Sequence, residues 1–180
     1  MLMKAEESCL LVVDVQERLA PAVAESQRVI DRCGVLMRAA ARLAIPVMIS
    51  EQYPKGIGPT VAALRALAPA EAVVEKMHFS CMADAGLRRR IGDLGRRQVV
   101  VGGTEAHVCV LQTVLDLRAA GYEVFVAADA CSSRDPANAA AAFARMRRNG
   151  VETVTTEMVV FEWLHRAGTP EFKELMPLIK

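Results

Sequence analysis

The sequence predicts an α/β fold: three layers, α/β/α, around a six-stranded and mainly parallel sheet. Three observations point there. Strand-like apolar runs and helical patterns alternate about six times, the signature of strands joined by crossover helices. The 180-residue chain is 53% hydrophobic but only 4% aromatic. Its core is therefore built mostly of Val, Leu, Ala, Ile and Met, a composition that suits helices covering both faces of a parallel sheet. Finally, no repeat, low-complexity tract or linker breaks the alternation, and the length suits one domain, 1–180.

The elements follow in order. "CLLVVD" (9–14) reads as a buried first strand. Residues 26–44 place apolar side chains at helical spacing, and Pro46 follows their end. "PVMIS" (46–50) is the second strand, and "GPTVAALRAL" (58–67) a short helix starting near Pro59 or Thr60. "AVVEK" (72–76) is the third strand, and residues 83–94 a helix with arginines on its outer face. "QVVVGG" (98–103) is the fourth strand and 106–120 the next helix. "YEVFVAAD" (122–129) is the fifth strand. Residues 135–149 form a helix with Asp135 as N-cap, Pro136 at its first position and Gly150 closing it. "VETVT" (151–155) is the sixth strand, and the tail holds one or two short helices.

The totals exclude some functions. A formal net charge of +1 and a pI near 7.7 supply no global field for nucleic acid or an anionic membrane. The apolar runs fall short of the roughly 20 residues a membrane helix needs, and "MLMKAEES" lacks a secretory pattern. A cytoplasmic protein without nucleic-acid or membrane partners is expected. Five scattered cysteines with no C-x-x-C argue against a disulfide framework or a zinc knuckle. Cys9 and Cys33 read as small core residues, as do Met37, Met48 and Met158, and the arginines at 88–90 and 96–97 as a solvated face.

In open parallel sheets ligands bind beyond the carboxyl ends of the strands. That rule gathers chemistry on one edge. Asp14 ends the first strand, Glu51 and Gln52 follow the second, Lys76 ends the third, Cys109 lies beyond the fourth, and Asp129 ends the fifth. Cys109 falls in the first turn of a helix, where free N–H groups favour negative charge and lower a thiol's pKa. Lys76 adds positive charge if it lies nearby. Asp14 could take the thiol proton or orient it, and the same N–H groups could hold an oxyanion.

The words around these residues, "LLVVDVQERLAP", "VVEKMHFS" and "GGTEAHVCVLQTVLDLRAAGYEVFVAADACSSR", resemble the isochorismatase-like cysteine hydrolase family across nearly the whole chain. "SEQYPKGIGPT", "EAHVCVLQT" and "FEWL" look like its isochorismatase domain-containing subgroup. The resemblance implies a Rossmann-like six-stranded sheet and a catalytic triad. Cys109 would be the nucleophile, Asp14 the base and Lys76 the support for charge. It also implies a cis peptide at Thr104–Glu105, with the N–H groups of Glu105 and Cys109 aimed at the oxyanion, and assembly as a dimer or larger homo-oligomer. The family's nicotinamidases carry an Asp-x-His metal motif after the second strand. Here that segment reads "SEQYPKGIG", with no histidine, so no metal is expected, and no organic cofactor.

The expectation is a cysteine hydrolase acting on a small amide, imide or related C–N bond through a covalent Cys109 intermediate. Gln16, Glu51, Gln52, Tyr53, Phe79, Thr104 and His107 are candidates for contacting the substrate. Gln16 could orient Asp14 instead, and His107 could line the pocket or bond its loop. Tyr53 and Phe79 offer an apolar wall or a subunit interface, and "FEWL" with 170–180 an interface too. Asp129 reads as structural, bonding the "CSSR" turn. "VGGTEA" lacks the spacing of a dinucleotide fingerprint. The alternative is a non-catalytic scaffold, or a redox-responsive protein in which Cys109 is reversibly oxidised.

Overall fold

Six strands assemble in the order β3-β2-β1-β4-β5-β6, every neighbouring pair parallel. They are β1 Ser8–Val13, β2 Val47–Gln52, β3 Val73–Lys76, β4 Gln98–Thr104, β5 Glu123–Ser132 and β6 Glu152–Val154. The helices are α1 Ser26–Arg42, α2 Pro54–Ile57, α3 Ala62–Arg65, α4 Ala85–Asp93, α5 Leu111–Ala119, α6 Pro136–Arg148, α7 Thr156–Leu164 and α8 Pro170–Leu175. This computed structural model describes residues 1–179, so Lys180, the end of the expected domain and tail, lies outside the described residues.

The period-two alternation of a strand sends its apolar residues to two separate cores. On one face Leu10, Val12 and Val100 meet α1, α3, α7 and α8 through Leu36, Leu64, Trp163 and Leu175. On the other, Leu11, Val13 and Val101 meet α4, α5 and α6 through Leu87, Leu117 and Met146. The three expected layers result, because central strands buried on both faces are apolar through their middles and keep polar residues only at their ends. β1 is buried at all six positions and β4 at all seven. The chain winds outward from β1 through β2 to β3, then returns to lay β4 on the other side of β1. The reversal puts the topological switch point at the carboxyl ends of β1 and β4.

Several local expectations meet the structure differently. The helix expected over 58–67 shrinks to α3, and an unexpected turn, α2, precedes it. The reason is competition from the loop after β1. Thr60 bridges Gln16, Glu17 N donates to Pro59 O at 2.9 Å, and Val61 N donates to Val15 O at 3.0 Å, so 59–61 are held extended. β5 runs past Asp129 to Ser132 after a register shift against β4. Asp129 is structural, but it caps α7 rather than the following turn, accepting from Thr156 N and Oγ1 at 2.8 and 3.0 Å. Met37 and Met48 fill core, whereas Met158 is 46% exposed. Trp163 and Leu164 of "FEWL" pack inward, and Trp163 Nε1 donates to Ser8 Oγ at 3.0 Å. Among the described residues no helix is long and apolar enough to cross a membrane.

Candidate functional site

At the switch point the backbone of β4 closes on β1. A Cβ at Gly103 would stand 2.0 Å from Val13 O, and its φ of +126 suits glycine alone. Here β1 ends and Asp14 turns into the left-handed region at φ 50, which Asp tolerates better than most residues. Its backbone is held on both sides: Asp14 N donates to Ser50 O at 3.1 Å, and Thr104 Oγ1 donates to Asp14 O at 2.8 Å. The carboxylate therefore points from a fixed root.

Both of its oxygens are clamped. Lys76 Nζ donates to Oδ2 at 2.7 Å, and Ser50 Oγ donates to Oδ1 at 2.7 Å. The Lys76 and Asp14 side chains are completely shielded from solvent. Such a pair is tolerated only when its remaining hydrogen-bonding capacity is met. It is: Lys76 Nζ also reaches Gln52 Oε1 at 2.7 Å and the carbonyls of His78 and Phe79 at 3.2 and 3.1 Å.

Cys109 sits in a turn of π-helix, Ala106–Val110, that leads directly into α5. The turn follows a cis peptide at Thr104–Glu105, the bond the family resemblance implies. Cys109 is 5% exposed and belongs to the same core as Val13, Met48, Cys81 and Val114. The sequence argument expected its thiol pKa to be lowered; the structure reverses this. Burial pushes the thiol well up, and the adjacent Asp14 carboxylate pushes it further, outweighing Lys76. Asp14 is itself raised by burial, against the opposing pull of Lys76, Ser50 and Cys109. Both shifts favour a neutral thiol at Cys109 beside the Asp14 carboxyl.

The other expected contact residues gather at this edge, largely bound to the framework. Gln16 Nε2 donates to the carbonyls of Gln52 and Gly58 at 3.0 and 2.6 Å, and its Oε1 accepts from Gln52 N at 2.8 Å. Glu51 Oε1 accepts from Thr60 N and Oγ1 at 2.7 and 2.6 Å. Gln52 Nε2 donates to Met77 O at 2.9 Å. His107 Nδ1 lies 2.9 Å from Ser133 Oγ. Glu105 Oε2 accepts from Arg134 N and Nε at 2.9 and 3.0 Å. Tyr53 and Phe79 are exposed at the rim.

Sequence reasoning missed Ser50, Ser133 and Arg134. Ser50 left a trace: it is a small polar residue ending an apolar strand, and in register it faces Val13, next to Asp14. Cavities of about 470 and 300 Å³ lie away from Cys109, one beside the N-terminal segment and α7, the other between α1 and α6. Among the described residues no group of three or more His, Cys, Asp or Glu is placed to hold a metal ion.

Known proteins share this framework. Residues 8–158 match the family described as the isochorismatase domain. Isochorismatase domain-containing protein 2A of Mus musculus is 36% identical over 177 residues, covering 97% of this chain and 84% of the mouse protein. Isochorismatase domain-containing protein 1 of Danio rerio is 39% identical over 96% of this chain, which spans 61% of that longer protein. The structure of the MAR1 ribonuclease from Caenorhabditis elegans superposes with a TM-score of 0.93 at 34% identity, covering 99% of this chain and 92% of that one.

Proposed function

The chain belongs to the isochorismatase domain family, and from that premise we propose that it is a cysteine-dependent hydrolase of small amides, imides or related C–N bonds. One observation carries the reading. A fully buried carboxylate, clamped at both oxygens by Lys76 and Ser50, lies against a thiol that is neutral at rest. This is the geometry of general-base activation on demand.

The steps follow from the residues. The Cys109 sulfur attacks the substrate carbonyl carbon while the thiol proton moves to Asp14. Lys76 holds that carboxylate ionised until the transfer and limits the charge imbalance afterwards. The carbonyl oxygen becomes an oxyanion at the backbone N–H groups of Glu105 and Cys109. Collapse breaks the C–N bond, and the leaving nitrogen takes the proton from Asp14. Water then attacks the thioester and gives its proton to Asp14. Expulsion of the sulfur with that proton restores the resting site.

The substrate is a small molecule, and the reaction needs no metal or organic cofactor in this reading. The protein works as a homo-oligomer in the cytoplasm, and the exposed Met158 and Phe161 favour association. Turnover of a panel of small amides and imides tests the activity. Cys109→Ser and Asp14→Asn are expected to lose it with unchanged circular dichroism. Two results would sink the proposal. One is selective reversible oxidation of Cys109 with no turnover, which returns the redox or scaffold reading. The other is cleavage of RNA, the activity named for the nematode relative, that survives Cys109→Ser.

A further inference from the structure

Two of the groups that hold the Lys76 ammonium are main-chain carbonyls, those of His78 and Phe79 at 3.2 and 3.1 Å. The segment that supplies them, residues 77–82, belongs to no helix or strand. No backbone ladder therefore fixes where those carbonyls stand. Their side chains do not fix them either: Met77 is 67% exposed, Phe79 53%, and His78 is exposed as well. A stretch with its side chains in solvent thus turns two carbonyls onto a side chain that is wholly buried.

The residues that follow anchor it. Ser80 Oγ donates to Asp116 Oδ2 at 2.6 Å, and Cys81 N donates to Thr113 Oγ1 at 3.0 Å. Ser80 Oγ also accepts from Met82 N at 3.2 Å, which closes the turn on itself. Ser80, Cys81 and Thr113 are buried, and a short hydroxyl-to-carboxylate bond is among the stronger kinds. Thr113 and Asp116 share one side of α5, and α5 continues directly from the turn that carries Cys109. Phe79 O, an acceptor for the ammonium, belongs to the peptide unit that ends at Ser80. A short chain of contacts therefore joins the helix of the thiol to the ammonium that faces Asp14. Beyond these carbonyls, Lys76 Nζ is held by Asp14 Oδ2 and Gln52 Oε1, both at 2.7 Å, so three protons would be left with two acceptors.

Building on the hydrolase reading above, we propose that Ser80 and Asp116 are positioning residues for the reaction: their hydrogen bond latches residues 77–82 to α5 and so fixes the Lys76 ammonium against Asp14. Neither residue touches the reacting atoms. Their effect passes through Lys76, and a displacement of about 1 Å at a reacting group can cost on the order of 10²-fold in rate.

Three variants of the intact protein test this. Ser80→Ala and Asp116→Ala remove the latch, and Asp116→Asn keeps an acceptor for the Ser80 hydroxyl. Asp116 is exposed, so its variants spare the core. One readout needs no substrate: exchange of the Lys76 ammonium protons with water, followed by heteronuclear NMR and assigned with Lys76→Arg. Exchange is expected to be about tenfold faster in both alanine variants, and within about threefold of wild type in Asp116→Asn. In turnover of an amide found by the screen, the alanine variants are expected to lose about tenfold or more in kcat, with KM within about threefold and Asp116→Asn close to wild type. The double alanine variant is expected to match either single one, because the two residues act through one bond. Unchanged ammonium exchange, a loss confined to KM, additive losses in the double variant, or an Asn variant as damaged as the alanine ones would overturn the inference. Faster exchange in the alanine variants of a protein whose wild type turns over no amide would instead overturn the hydrolase reading, and the catalytic role of the latch with it, while the latch itself stands.

Discussion

Asp14 decides how Cys109 behaves. The carboxylate raises the thiol's pKa through its charge, and Lys76 opposes it. Removing that charge has two opposite consequences. In Asp14→Asn, turnover should fall by about 10²–10⁴-fold, the usual contribution of a general base. Alkylation of Cys109 by iodoacetamide at pH 7 should rise, since the repulsion is gone and Lys76 is left to face a thiolate. A parallel fall in both rates would mean that Asp14 only supports the fold. Ser50 gives a finer test. Its hydroxyl donates to the ionised form of Asp14, and hydrogen bonds to charged groups contribute about 1.5–3 kcal/mol. Ser50→Ala should move the acid limb of the kcat/KM–pH profile to higher pH, and Ser50→Thr should restore it. Asp14, Lys76 and Cys109 were legible in the sequence because strand ends in a parallel sheet converge. Cys109's electrostatics were not, because burial outweighs a helix terminus, and burial is not written in the local sequence.

The elements around the site were legible where one signal dominated. The α6 cap shows this: Asp135 accepts from Ala137 N at 2.8 Å, and Pro136 starts the helix, as its sequence expects. They were not legible where tertiary hydrogen bonds compete with local preference, as at 58–61, or where a register shift prolongs a strand, as in β5. β4 carries the clearest element-scale prediction. Gly103 lets its backbone touch Val13, and overpacking there adds to the strain of a positive φ. Gly103→Ala should cost about 3 kcal/mol or more in urea unfolding and should slow turnover, because Asp14 roots at the same contact. As a control away from the site, Asp84→Ala should cost about 1 kcal/mol, the usual value of an N-cap, with turnover unchanged. Asp84 accepts from Gly86 and Leu87 at the start of α4.

Across the whole molecule, five reduced thiols are buried in the two cores. Burial pushes Cys9 and Cys131 up to about 12, and raises Cys33 and Cys81 as well. An unfolded chain ionises its thiols near the ordinary value of about 8.5. Because the folded values are the raised ones, this contribution to stability is complete below that range and is lost as pH climbs toward the folded values. Tm should therefore be flat from pH 7 to 8 and fall steadily above about 9, with a shallower alkaline fall in Cys9→Ala; an equal slope in that variant would remove thiol ionisation as the cause. The layered parallel sheet was legible from the alternation, and with it the carboxyl edge where Asp14, Lys76 and Cys109 meet, whereas the strand order is not written in that alternation and the two engaged polar shells around Lys76 and Gln16 depend on loop geometry that no spacing encodes. The most direct measurement is rapid-quench mass spectrometry during turnover of an amide found by the screen. An adduct of the acyl group's mass on Cys109, forming and decaying within the catalytic cycle and absent in Cys109→Ser, is expected. Turnover that leaves Cys109 unmodified, or that continues in Cys109→Ser, would contradict the nucleophile assigned to this site.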